Sequence, residues 1–468
     1  MTPDLQQQFL DDLKYLISIP SFIDASTADI QNPFGKNISY GLDFFRELAT
    51  RDGFVYGNIE NRVAWIEYGN SKATPENTVA ILGHVDVVPA GDGWTKNPFK
   101  AEVIDDKIYG RGSMDMKGDL MANYYALRLI KEQNIPLNPE AKIRLIIGGN
   151  EEGAWDDLPH YFKQEGTPTI GYSPDGKFPV GIGEKGYVTF RFNTPKIEQF
   201  GLTQLISFEG GVADNMVPDS ATAIIETPYT QVLAKDFQSF LARRSNVSGD
   251  FEIQTNLIKL TLNGITAHGA YPQLGVNAVT TLAHFLTRVD FDPYVKAFLQ
   301  VIGNFLHNDP YAKKLGLDYT DQEMGPVTEN LGQLKFNHEE WKATVNFRIP
   351  KGVDISTIET KFNQLFRRIG VEINGITQSG NPHFIPIDDP VVTALSDVYR
   401  QHTKSSETTF VASGGSYASL LKRGVAFGGQ FPDTPVMSHK ADEYAIISDF
   451  YKAIDIFKDS IIALSKLI

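Results

Sequence analysis

Thr78-Val79-Ala80-Ile81-Leu82-Gly83-His84-Val85-Asp86 reads as a buried strand that ends on an imidazole and a carboxylate. Side chains repeat every two residues along a strand, so His84 and Asp86 emerge on one face at its end. Open α/β sheets place their chemistry at that end. A metal-ligating imidazole is commonly oriented by a carboxylate on its other nitrogen, which makes the pair a candidate half-site. Taken alone, it reads equally well as two polar residues closing a strand.

Further segments answer it downstream. Tyr109-Gly110-Arg111-Gly112-Ser113-Met114-Asp115-Met116-Lys117-Gly118 puts Asp115 in a glycine-punctuated turn ahead of a helical stretch, Leu120 to Lys131. The apolar run Ala141 to Ile147 ends in Gly148-Gly149-Asn150-Glu151-Glu152-Gly153. Adjacent glutamates at a strand end point opposite ways, so one can ligate a cation while the other faces solvent or substrate. Gly171-Tyr172-Ser173-Pro174-Asp175-Gly176 adds a carboxylate in a turn, and Ser438-His439-Lys440-Ala441-Asp442-Glu443 adds a second histidine. Each fragment alone is more often a solvated loop. Together, each at the end of an apolar run, they point to one site.

In these motifs, and in Gly264-Ile265-Thr266-Ala267-His268-Gly269-Ala270-Tyr271-Pro272, the chain resembles the cocatalytic zinc peptidase family of aminoacylase, carboxypeptidase G, succinyl-diaminopimelate desuccinylase and carnosinase. Its length and the last motif are most similar to the PepV-like bacterial dipeptidases of that family. The resemblance spans essentially the whole chain. It implies that Asp115 bridges two metal ions, one completed by His84 and Asp175, the other by Glu152 and His439. Glu151 would be the general base and Asp86 the carboxylate that orients His84. The family places a histidine such as His268 at the developing oxyanion, from the smaller domain.

Three carboxylates and two neutral imidazoles balance two divalent ions once a bridging hydroxide is added. Nitrogen and oxygen ligands without thiolate suit zinc, with manganese or cobalt compatible. Two-metal sites hold their ions about 3.5–4 Å apart, which calls for a shared ligand such as Asp115. The chemistry implied is hydrolysis by a metal-bridged water whose proton passes to Glu151 and then to the leaving amine. Arg348, at the end of the alternating run Trp341 to Pro350, has the fork geometry to hold a substrate carboxylate, although spacing alone fits a surface arginine equally well. Resemblance raises Arg348 together with Asn215. The turn Ser413-Gly414-Gly415-Ser416-Tyr417 offers backbone N–H donors at Gly415. Many relatives carry an acidic residue after this turn, where Tyr417 stands here. His160, His284, His307, His338, His383 and His402 read as ordinary surface or core histidines.

The expected activity is a dipeptidase of broad specificity acting on unblocked dipeptides. An N-acyl amino acid amidohydrolase is the nearest alternative, and a catalytically silent metal- or peptide-binding protein is the alternative from another class. The 468 residues carry 43 Lys plus Arg against 57 acidic residues, a formal charge of −14, which argues against nucleic acid or anionic membrane as partners. There is no cysteine, so disulfides and thiolate ligands are excluded. No window reaches the ~20 apolar residues of a membrane span, and no leader pattern opens the chain, so a cytoplasmic protein is expected.

Thr2 reads as a helix cap with Pro3 at the first helical position. Strand-like and helical runs alternate as far as Asp175, as in a mostly parallel sheet with helices on both faces. From Val188 the pattern becomes alternating, in runs such as Phe251 to Leu262 and Trp341 to Ile349, which suits a half-exposed antiparallel sheet. Helical spacing returns in Val276 to Val289, Tyr294 to Leu317 and Ile355 to Ile369. The α/β texture resumes near Asp388. The reading is a discontinuous catalytic domain, 1–186 and 385–468, interrupted by an α+β lid domain, 187–384. A lid of that size resembles the enlarged lid of PepV-like members, which implies an active monomer.

Overall fold

The computed structural model describes residues 1–194, 198–337, 341–367 and 373–468, and His338 lies outside them. The fold is mixed α/β, and its contacts separate into two units. One comprises Met1–Gly183 with Phe384–Ile468, the other Glu184–His383.

In the first unit, the strand Thr78–His84 is buried throughout and runs parallel to Lys142–Gly148 on one side and Ile170–Ser173 on the other. Arg423–Ala426 joins parallel to Ile170–Ser173, so the chain's C-terminal part completes the sheet begun by its N-terminal part. Antiparallel strands Val63–Gly69 and Val55–Ile59 extend one edge, and Val180–Glu184 the other. The period of two sorts the side chains of Thr78–His84 between two cores. Val79 and Ile81 pack with the helices Pro3–Ser18, Lys36–Asp52, Lys117–Glu132 and Ile447–Ser465, whereas Ala80 and Leu82 pack with Leu158 and Tyr161 of the helix Asp157–Glu165. Both faces are therefore covered, as a near-continuous apolar strand requires.

Thr2 does cap the first helix. Its hydroxyl accepts the Leu5 N–H at 3.3 Å, with Pro3 at the first turn. Thr2→Ala should lower stability by about 1 kcal/mol, as read from urea unfolding.

The second unit is built on an antiparallel sheet in the order Ser248–Gln254, Leu257–Asn263, Ser220–Glu226, Gln204–Gly210, Thr328–Phe336, Trp341–Ile349, Gly186–Thr194, Ile373–Gly380. Val188, Phe190 and Phe192 alternate into a core shared with Phe362 and Phe366 of the helix Ile355–Arg367. Two expected extents change. The run Phe251 to Leu262 is a hairpin, turning at Thr255-Asn256 with Thr255 at φ 55°. The alternation changes phase there, from Phe251 and Ile253 inward to Ile258, Leu260 and Leu262 inward, and Leu257 at the junction masks the change. The segment Tyr294 to Leu317 is helical only as Pro293–Gln300 and a wider turn over Val301–Phe305. Asn308 at φ 53° and Pro310 prevent continuation.

Candidate metal centre

His84 ends its strand fully buried. Its Nδ1 lies 2.9 Å from the backbone carbonyl of Asp86 and 3.3 Å from that residue's Oδ1. With Nδ1–H directed at Asp86, Nε2 is the atom left to meet a proton or a cation. It is buried without a hydrogen-bond partner, and Asp115 Oδ1 and Asp175 Oδ2 each stand 3.6 Å away. Burial opposes charge on this imidazole, yet Asp86, Asp115 and Asp175 hold its pKa well above the usual range. An unsatisfied buried nitrogen ringed by carboxylates suits a divalent cation, and this donor set fits one.

Each ligand candidate is held by its own local device. Asp115 sits in a turn whose backbone N–H groups at Gly112, Met114 and Asp115 all donate to Glu443 Oε1, at 3.1, 2.9 and 3.1 Å. Glu443 Oε2 receives Arg111 Nη1 at 2.6 Å, and both side chains are buried. Asp86 does more than face His84. Its two oxygens accept the N–H groups of Glu151 and Glu152 at 3.2 and 2.9 Å. The residues 151–152 thus lie in a turn gathered around Asp86, and the strand rule that sends neighbours to opposite sides does not apply there. Glu152 groups with His84 and Asp115, and Glu151 with His84 and Asp175, each set keeping its ligand atoms within 4.8 Å. His439 Nε2 reaches Asp115 Oδ2 at 3.2 Å and Glu152 Oε1 at 3.0 Å.

The electrostatics follow from crowding. Burial pushes the carboxyl pKa of Glu151 well up, and the charge of Asp175 adds to it. Glu152 and Asp175 are also raised by burial. Burial acts the same way on Asp115, but the hydrogen bond from His439 and the nearby charge of the His84 and His439 imidazoles outweigh it and hold Asp115 low. The bonds that His439 gives to Asp115 and Glu152 raise its own pKa to about 11.

Three more residues belong to this neighbourhood. Asp119, on the helix Lys117–Glu132, is 3% exposed, with Oδ1 unpartnered and Oδ2 accepting the Gly429 N–H at 3.3 Å. Asp157 Oδ2 accepts the N–H groups of Gly149 and Asn150 at 2.8 and 2.9 Å and the Tyr417 hydroxyl at 2.6 Å. Tyr417 therefore braces the 148–152 turn, while Gly415 lies in the exposed turn just before it. Among these, only an unpaired Asp in the first turn of an apolar helix could have flagged Asp119 from the sequence.

In the second unit, Asn215, His268 and Arg348 are brought together. The Gly269 N–H donates to Asn215 O at 2.6 Å, and Met216 bridges His268. Arg348 pairs across the sheet with Thr328, whose hydroxyl donates to Ala270 O at 3.3 Å. Burial lowers the His268 pKa, and the charge of Arg348 lowers it further. Arg348 Nε donates to Asn346 Oδ1 at 3.1 Å.

Among the described residues no helix is long and apolar enough to cross a membrane. Residues 80–463 match peptidase family M20/M25/M40. A Bacillus subtilis (strain 168) protein named "Putative dipeptidase YtjP" is 34% identical, covering 98% of each chain. A Staphylococcus aureus (strain MRSA252) protein, "Putative dipeptidase SAR1836", is also 34% identical, over 98% of this chain and 97% of its own. The fold is shared with human carnosine dipeptidase 1, at TM-score 0.60 and 16% identity over 99% and 97% of the chains. It is shared too with the Sulfolobus solfataricus metallo-carboxypeptidase Sso-CP2, at TM-score 0.59 and 18% identity over the full length of both. The His/Asp/Glu cluster at the sheet's end and this match over most of the sequence place the chain in peptidase family M20/M25/M40, as a metal-dependent hydrolase of peptide bonds.

Proposed function

We propose that the protein is a dipeptidase that cleaves unblocked dipeptides with two divalent ions, zinc foremost and manganese or cobalt compatible. The observation that carries the metal chemistry is the buried, unpartnered Nε2 of His84 with Asp115 and Asp175 on either side. His84, Asp115, Glu152, Asp175 and His439 would hold the ions. When bound, such ions polarise a carbonyl and make water acidic enough to attack near neutral pH. Glu151, whose buried carboxyl already has a raised proton affinity, accepts the attacking water's proton and returns it to the departing amine. Asp86 positions this base through its backbone N–H and fixes the His84 ring. Asn215, His268 and Arg348 are proposed as substrate-facing groups, with His268 donating to the oxyanion, Arg348 pairing with the C-terminal carboxylate, and Gly415 offering a backbone donor. Their clustering supports this reading, as does a neutral His268 kept so by burial. We take the active form to be the single chain.

Two features favour a dipeptide over an N-acyl amino acid. The relatives at 34% identity are named as dipeptidases. Asp119 offers a buried carboxyl oxygen with no partner, beside Asp115 and Asp175, whose proton affinity burial raises and a free α-ammonium would lower. The test is product release on one dipeptide, its N-acetylated twin and the corresponding tripeptide. Cleavage of the free dipeptide alone is expected. Preference for the acetylated twin would move the protein to the amidohydrolases and leave the metal site untouched.

Metal loading itself should be proton-linked. In the ion-free protein His439 stays protonated up to about pH 11, paired with Asp115 and Glu152. A cation taking that nitrogen must expel the proton, so affinity should rise with pH through neutrality and level off near the His439 pKa. The pairing's contribution to ion-free stability has the opposite sense: it is complete below the unfolded imidazole value and fades as pH climbs through the folded one. Zinc titration in buffers of differing ionisation enthalpy should show proton release, and none at pH 7 would remove this account. Asp115→Ala should leave less than one ion per chain by elemental analysis, and retention of two would break the assignment of Asp115 as the shared ligand.

A further inference from the structure

The antiparallel unit has a groove of about 1240 Å³ between the 200–203 loop, the helix Thr230–Leu241 and the segment 285–293. Its floor is aromatic, with Phe240, Phe285 and Phe291 all buried. Its rim leaves Phe200, Leu202, Tyr229 and Val232 between 57% and 73% exposed, an unusual concentration of large apolar side chains in water. Three guanidinium groups line the same groove, those of Arg243, Arg244 and Arg288. The Arg244 guanidinium carbon lies 3.6 Å from the centroid of the Phe240 ring and that of Arg288 5.8 Å from it, so one phenyl ring collects both cations. Arg244 also donates to the Phe240 carbonyl at 3.0 Å, which fixes its position.

Among the described residues none of the three arginines makes an ion pair. Three aspartates line the groove as well, and among the described residues none of them pairs with these arginines. Asp290 pairs with Lys296, Asp292 accepts the Tyr294 N–H at 2.9 Å as the cap of the helix Pro293–Gln300, and Asp236 lies exposed on its helix. Burial depresses the Arg244 pKa, and the like charges of Arg288 and Arg243 depress it further, with no carboxylate offsetting them. Like charges gathered over an apolar floor are unfavourable until an anion joins them.

We propose that this groove binds an amphipathic organic anion, its carboxylate or phosphate head on Arg243, Arg244 and Arg288 and its apolar body over Phe240, Phe285 and Phe291. The volume exceeds what a drug-sized ligand needs, and the combination of an apolar wall with a few converging polar groups is that of small-molecule sites.

The test uses the full chain and four probes: decanoate, decanol, decylammonium and acetate, each below its micelle concentration, followed by calorimetry. Saturable 1:1 binding of decanoate is expected, at least tenfold tighter than decanol, decylammonium or acetate, and weakening as salt rises. The Arg244→Gln/Arg288→Gln double variant should lose tenfold or more in decanoate affinity while dipeptide hydrolysis is unchanged. Because Arg244 is stacked and partly buried, Val232→Asp provides a second probe at the exposed rim; it should weaken decanoate and leave decylammonium as strong or stronger. Equal binding of decanol and decanoate would overturn the proposal, as would decanoate affinity indifferent to both variants. A concentration-dependent dimer that the double variant abolishes, with no decanoate binding, would overturn it in favour of self-association.

Discussion

Glu151→Gln should lose about 10²–10⁴-fold in kcat, the span associated with a general base, while binding the same amount of metal as the unaltered protein. The two halves of that expectation separate the roles of adjacent glutamates. Both side chains approach the same imidazole, Glu152 with Asp115 and Glu151 with Asp175. A cluster drawn by distance alone would accept either as a ligand. What distinguishes them is His439, which contacts Glu152 at 3.0 Å and Asp115 at 3.2 Å. Glu152 therefore belongs to a histidine-completed set, and Glu151 is left as the carboxyl whose proton affinity burial raises. If Glu151→Gln instead halves the metal content, Glu151 is a ligand and the base lies elsewhere. Glutamine keeps the volume and the turn, so Asp86 retains its contacts with both backbone N–H groups. A fall in kcat with KM unchanged is the signature of a group acting only in the transition state.

The fold was legible where apolar runs are long. Thr78–His84 and Lys142–Gly148 are continuous buried strands, and only helices on both sides of a parallel pair can cover them. The alternating strands of the second unit were equally legible, but their ends were not. The phase of the alternation does change at the turn, from Phe251 and Ile253 inward before it to Ile258 and Leu260 inward after it, but the exposed Leu257 at the junction blurs the change. At the metal centre, residue types and order were visible and side-chain directions were not. Glu151 and Glu152 converge because Asp86, 65 residues earlier, draws their backbone N–H groups together. Asp119 and Asp157 carry no motif of their own. Their roles depend on Gly429 and Tyr417, which only the folded sheet brings near. Tyr417 donates to Asp157 at 2.6 Å, a partner that its own turn gave no sign of.

The largest structural effect should come from Glu443, a residue outside the proposed ligand set. Its carboxylate is wholly buried and takes three backbone N–H groups on one oxygen and Arg111 on the other. Arg111 is itself 1% exposed; its Nη2 donates to the Ala90 carbonyl at 3.0 Å and its Nη1 also to the Lys440 carbonyl at 3.3 Å. One ion pair thus ties the turn bearing Asp115 to the segment bearing His439. Glu443→Ala strands a buried guanidinium and three N–H donors, which should cost about 3–5 kcal/mol, the usual penalty for breaking a buried pair from one side. The loss should be local first: amide exchange across residues 110–115 should accelerate, and metal affinity should fall although every proposed ligand is intact. Arg111→Met/Glu443→Leu should recover part of the stability, since removing both partners leaves no uncompensated charge, but not the metal affinity, because the three N–H groups remain unheld. Glu443→Gln keeps an acceptor for those N–H groups and should retain more metal affinity than the alanine variant. Unchanged exchange at 110–115 in Glu443→Ala would mean that Asp115 is positioned by something other than this carboxylate.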